Sequence, residues 1–173
     1  MRGKGRTTMR PLITALLTFA LVAPGASAGS QPGGASLQGA WQTVKISIGG
    51  ATPREITVTQ PSAYLTIFTG KHYSRTEIQS DTPRPILADA SKATADELRA
   101  VWGPVVAEAG TYEVSGDTLT LHPQASKSPA AMAAGAFIVC SFKLDGTTLA
   151  IAQQRNQAGP YPSPVTFTLK RIE

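Results

Sequence analysis

The chain has 173 residues, 42% of them hydrophobic, and a formal charge of +5 from 16 Lys and Arg against 11 Asp and Glu. Four of the basic residues, Arg2, Lys4, Arg6 and Arg10, lie in the first 28 positions, so the rest of the chain is close to neutral and has no basic run to track a phosphate backbone. That excludes nucleic acid as an expected partner, and the single cysteine, Cys140, excludes an intramolecular disulfide.

Residues 1–28 read as a secretory signal peptide: a basic start, a mostly apolar run over 12–23, and the small residues Ala26, Ser27 and Ala28 at a cleavage site. The apolar run falls short of the ~20 residues of a spanning helix. Cleavage after Ala28 is expected to give a periplasmic or extracellular protein with no integral membrane span. Residues 29–38 begin with GSQPGGAS, a flexible linker by composition. Residues 39–173 form one domain, long enough to rest on its own core.

From there the chain is a series of short strand-like runs broken by Gly, Asp and Pro. The first is 41–48. Residues 63–78 (AYLTIFTGKHYSRTEI) form a hairpin turning at Gly70-Lys71, with glycine where a type II′ turn prefers it. Its register sets Leu65, Ile67, His72, Ser74 and Thr76 on one face and Tyr64, Phe68, Tyr73, Arg75 and Glu77 on the other. Neither face is cleanly apolar, which suits a barrel with a mixed interior. Thr94 and Glu97 then have capping-box spacing. Leu98, Val101, Trp102, Val105 and Val106 recur at helical period, and Gly103-Pro104 interrupts the run, which predicts a helix of two to three turns followed by an irregular descent.

A second hairpin turns at Gly116-Asp117. Val114 opposes Leu119 and Tyr112 opposes Leu121 on an apolar face, while Glu113 opposes Thr120 and Thr111 opposes His122 on a polar one. Ser128-Pro129 starts a short helical turn that stops at Gly135. The third hairpin turns at Asp145-Gly146, with Phe142 opposite Leu149, Cys140 opposite Ile151 and Lys143 opposite Thr148. Cys140 sits in an apolar run with no His or Lys beside it, the setting of a buried, inert thiol. The last strand, 165–172, brings the count to eight. The fold expected is all-β with one short helix: an eight-stranded antiparallel up-and-down barrel with a small cavity.

Gly39-Ala40-Trp41 at the head of the first strand resembles the Gly-x-Trp signature of lipocalins and related calycin barrels. Val165, Phe167, Leu169 and Arg171 share one face of the last strand. Arg171 therefore matches the arginine that, in the family, packs over the tryptophan at the closed end. More narrowly, the chain is similar to small bacterial lipocalin-like domains in residues 64–70 (YLTIFTG), Arg84-Pro85 and residues 110–114 (GTYEV), over roughly 37–172. The helix here lies mid-chain, where the family usually has one after the barrel. The resemblance implies a monomer that binds a small, partly hydrophobic ligand inside the barrel. Tyr64, Phe68, His72, Tyr73, Arg75, Trp102 and Tyr112 are the candidate pocket residues, and Gly39, Trp41 and Arg171 close the barrel.

Two other readings stand beside it. A barrel enzyme, an isomerase or hydrolase of apolar molecules, would use His72 as general acid/base near Tyr73 or Glu77. An interaction or inhibitor module would act through the loops 79–92 and 154–164. The one Gly-x-Ser-x-Gly, residues 25–29, spans the expected signal-peptide cleavage site, and no His-x-His or HExxH is present. Catalytic residues, metal ligands and cofactors are accordingly expected to be none, and His122, at a strand end, reads as a solvated surface residue.

Overall fold

A computed structural model describes residues 37–60, 63–80 and 82–173. The signal peptide expected over 1–28 and residues 29–36 of the linker lie outside the described residues.

Eight long strands form a closed ring: β1 (Gly39–Ile48), β3 (Tyr64–Phe68), β4 (His72–Ile78), β5 (Val105–Ser115), β6 (Thr118–Ser126), β7 (Ile138–Asp145), β8 (Thr148–Asn156) and β10 (Val165–Arg171). Each pairs antiparallel with the next in this order, and β10 pairs with both β8 and β1, so the ring has no open edge. Two short strands lie outside the expected eight. β2 (Arg54–Thr57) pairs with the far half of β1, and β9 (Gly159–Pro160) pairs with β8.

Period-two alternation fills the interior. Leu119, Leu149 and Leu169 are buried with Trp41, Phe68, Tyr73, Tyr112 and Phe167, each such side chain contributing about 1.5–3 kcal/mol by leaving water. The β5–β6 hairpin has the expected register at all four pairs, with Gly116 at φ +60°. The β3–β4 register also agrees, Phe68 opposing Tyr73, although Gly70 lacks the positive φ of a type II′ turn. The β7–β8 hairpin departs by two residues: Phe142 opposes Ile151 and Leu144 opposes Leu149. The turn is Gly146-Thr147, because the residue able to take φ +56° is Gly146. A slip of two keeps every side chain on its face, so Phe142, Leu149 and Ile151 still face the core.

In β1 the alternation of Trp41 and Thr43 conflicts with that of Ile46 and Ile48. A bulge resolves it: the register against β10 shifts between Thr43 and Lys45, so both sets face inward. At this end Leu37 is fully buried and its carbonyl accepts the indole N–H of Trp41 at 2.8 Å. The packed barrel thus starts two residues before the expected boundary at Gly39. The Arg171 guanidinium lies 4.1 Å over the Trp41 ring. It also donates to the carbonyls of Gln38 and Glu173. Gly39, at φ +129°, passes so close that a Cβ there would sit 2.2 Å from the Glu173 carbonyl oxygen, which is why a glycine stands two residues before the tryptophan.

Helix α1 (Ala95–Trp102) has Thr94 as N-cap with both capping-box bonds formed. It ends at the glycine, and Val105-Val106 open β5 instead of continuing an irregular descent. None of its residues is buried and Trp102 is 56% exposed, so the helix does not cover the aromatic residues of the barrel. Residues Pro129–Met132 form a single 3-10 turn that ends at an extended Ala133, two residues before the expected stop at Gly135, which has φ +74°.

Candidate functional site

Strand β4 runs from the closed end to the open end with Tyr73, Arg75 and Glu77 pointing inward and His72, Ser74 and Thr76 outward. Arg75 donates two bonds to Glu77, Nε to Oε1 at 2.8 Å and Nη2 to Oε2 at 2.9 Å. Its guanidinium lies 4.2 Å over the ring of Phe167. Directly across the β4–β5 ladder is Glu108, whose Oε1 is 4.0 Å from Arg75 Nη1. Gln79, at the open end of the same row, donates to Glu77 Oε2 at 2.9 Å. Three charged side chains therefore share the barrel interior, with exposures of 15% for Arg75, 1% for Glu77 and 10% for Glu108.

The electrostatics follow from one guanidinium serving two carboxylates. Burial opposes the charge on Arg75, but the bonds and charge of Glu77, with Glu108 beyond, outweigh it and hold the guanidinium more firmly protonated. Burial, opposed by Arg75 and aided by Glu77, pushes the Glu108 carboxyl above the usual range. Burial foremost, then the charge of Glu108, raises the Tyr73 phenol. Cys140 is buried and its thiol is pushed up to about 12, so it is an inert wall residue. Among the described residues, the Tyr73 hydroxyl and Glu108 Oε1 are buried without a hydrogen-bond partner.

Two spaces adjoin the Arg75, Glu77 and Gln79 row, and Glu108, across the ladder from Arg75, lines neither of them. A cavity of about 30 Å³ is walled by Tyr73, Arg75, Glu77, Cys140, Gln153 and Phe167 among others, room for one or two waters. Above it a cleft of about 310 Å³ opens at the barrel mouth between Ile46, Ile48, Ile56, Tyr64, Val165 and Phe167, with Arg54, Gln79 and Ser80 as its polar groups. Phe167 belongs to both. The barrel centre is thus largely filled by side chains, and the room for a molecule larger than water is at the mouth.

The closed ring of strand pairs, with a cap of tryptophan and arginine at one end and a cleft at the other, decides the architecture. It is the closed eight-stranded antiparallel barrel expected from the sequence. Among solved structures the chain is similar to a lipocalin-like protein from Bacteroides uniformis ATCC 8492, at 11% identity and TM-score 0.42 over 79% of this chain and 98% of that one. It is also similar to an uncharacterized protein from Bacteroides eggerthii DSM 20697, at 9% identity and TM-score 0.42 over 79% of this chain and 99% of that one. No family model matches the sequence, and no curated protein matches it.

The candidate pocket residues separate into groups. Phe68, Tyr73 and Arg75 line the inner cavity, and Tyr64 lines the mouth. Tyr112 packs edge-on against Phe68 at 5.2 Å and donates to the Thr69 carbonyl at 2.6 Å near the closed end, off both spaces. Trp102 is on the exposed helix and lines neither. His72 is exposed beside the turn at the closed end, on the opposite face of β4 from Tyr73 and Glu77, so the acid/base grouping of the enzyme reading does not form. His122 is outside as well, 3.9 Å from Glu113. Among the described residues no three His, Cys, Asp or Glu side chains are grouped to hold a metal ion, and no helix is long and apolar enough to cross a membrane.

Glu108, Gln79, Gln153 and Ile56 were not among the sequence candidates. Glu108 had a usable signal, since it shares the even-numbered face of β5 with Tyr112 and Val114.

Proposed function

We propose that the protein is an exported small-molecule-binding barrel whose ligand, partly apolar, lies in the mouth cleft rather than deep in the barrel. The observation that carries this reading is the cleft itself: about 310 Å³, apolar on most sides, with Arg54, Gln79 and Ser80 to orient a ligand. That is the make-up of a ligand pocket at the small end of the ~300–1,000 Å³ range. Export is supported by the pattern of residues 1–28 and is checked by the mass of the protein recovered outside the cytoplasm, which should begin at Gly29.

The test is calorimetric titration with n-octanol, a neutral probe sized for the cleft. Ile56→Trp, which fills the cleft from β2, is expected to weaken binding by at least about tenfold. Ile67→Trp, on the outer face of β3 where Ile67 is already 38% exposed, serves as the control. Equal affinities in the two variants, or no binding by the unaltered protein, would overturn the reading.

A further inference from the structure

Inside the barrel one guanidinium faces two carboxyl groups. Arg75 faces both Glu77 and Glu108, and its guanidinium is already committed, with two bonds to Glu77 and one face on Phe167. A ligand carboxylate passing Arg54 at the mouth would meet the carboxyls of Glu77 and Glu108 and, among the described residues, no uncommitted cation at this depth, an arrangement that disfavours anions. A cation meets the reverse. The hydroxyl of Tyr73, 3% exposed and on the cavity wall, and Oε1 of Glu108, on a side chain nine-tenths buried, both lack hydrogen-bond partners. Buried polar atoms in that state cost free energy until something satisfies them.

Size and depth agree with charge. The inner cavity of about 30 Å³ admits a water-sized group, which an ammonium is and a ring is not. Arg75 and Glu108 each lie three residues from the mouth ends of β4 and β5, about 10 Å at ~3.3 Å per residue. A short alkyl chain spans that distance along Phe167, which walls both spaces.

We propose that the barrel selects cationic amphiphiles: a primary ammonium seats against Glu108 and the Tyr73 hydroxyl, and its apolar chain runs past Phe167 into the mouth cleft. This rests on the mouth-cleft reading above and adds the chemical class of its ligand. The ammonium supplies the second positive charge that two carboxylates require, so Glu108 is held ionised by the ligand and Arg75 keeps its bonds to Glu77.

Matched probes separate the two ideas. n-Octylamine, n-octanol and n-octanoate share a chain and differ in head group. Calorimetry at pH 7.5 is expected to rank the amine above the carboxylate by about tenfold or more. Glu108→Gln should bring the amine-to-alcohol affinity ratio down to about one, and Tyr73→Phe, which keeps the ring, should lower that ratio in part. Octanoate binding as well as octylamine, or an amine preference that survives in both variants, would overturn the cation inference while octanol binding kept the mouth reading. Failure of all three probes to bind would overturn both.

Discussion

Of the three arginines stacked on aromatic rings among the described residues, two are stacked in almost the same way: Arg171 at 4.1 Å over Trp41 and Arg75 at 4.2 Å over Phe167, with Arg155 farther from Phe137 at 5.0 Å. What differs is the counter-charge. Arg171 is answered by backbone carbonyls of Gln38 and Glu173, neutral groups that the chain ends bring there. Arg75 is answered by two carboxyls, hydrogen-bonded to Glu77 and 4.0 Å from Glu108 Oε1, an atom with no hydrogen bond of its own. Dipoles around a half-exposed cation make a cap and nothing more. A buried trio of one cation and two carboxyls is costly as structure, since an apolar set of similar volume would serve the fold as well or better. Perturbed groups of that kind cluster where proteins bind or react. The closed end holds the barrel together; the open half is where we propose that it binds.

Removing each arginine breaks the comparison at its strongest point. Arg75→Met leaves Glu77 and Glu108 buried without a cation and is expected to cost about 3–5 kcal/mol in denaturant unfolding. The double change Arg75→Met with Glu77→Leu should recover much of it. Arg171→Ala loses the stacking and leaves two carbonyls unanswered, at about 1–3 kcal/mol.

Titration sharpens the contrast further. The folded protein binds the Glu108 proton more tightly than the unfolded chain does, so ionising this group costs stability as pH rises through and above the usual glutamate range. In Glu108→Gln that loss is absent. The melting temperature of the variant relative to the unaltered protein should therefore rise from acid to neutral pH, and a flat difference would contradict the assignment. Smallest of all is Lys170→Ala. Lys170 is exposed, its ammonium 2.6 Å from the Thr148 hydroxyl, and the change should stay within about 0.5 kcal/mol.

Legibility in the sequence followed how many independent signals agreed at each place. The β5–β6 hairpin was readable to the residue because Tyr112, Val114, Leu119 and Leu121 sort to one face and the turn glycine fixes the centre. In β7–β8 the faces were readable and the register was not, since period two cannot distinguish registers that differ by two residues. The position of Arg171 in an otherwise apolar row is the signal for its stacking on Trp41. The conflict within β1 pointed to a bulge without placing it. The signal of Glu108 was passed over for a specific reason: Leu98, Val101, Trp102, Val105 and Val106 recur at helical period across the Gly103-Pro104 interruption, which absorbed the start of β5 and cut the strand short. β2 was invisible because all four of its residues, Arg54 to Thr57, are exposed and leave no hydrophobic trace. With β2 unseen, the mouth cleft that Arg54 and Ile56 wall could not be drawn.

The division between a holding end and a binding end is tested most directly by amide chemical shifts as n-octylamine is titrated into isotope-labelled protein. The shifts predicted are largest at the mouth and the trio, at Ile46, Ile56, Arg75, Gln79, Glu108 and Val165, with Gly39, Ala40 and Trp41 at the closed end unmoved. Shifts centred on the closed end or on the exposed face of α1 around Leu98 and Trp102, with the mouth silent, would contradict it.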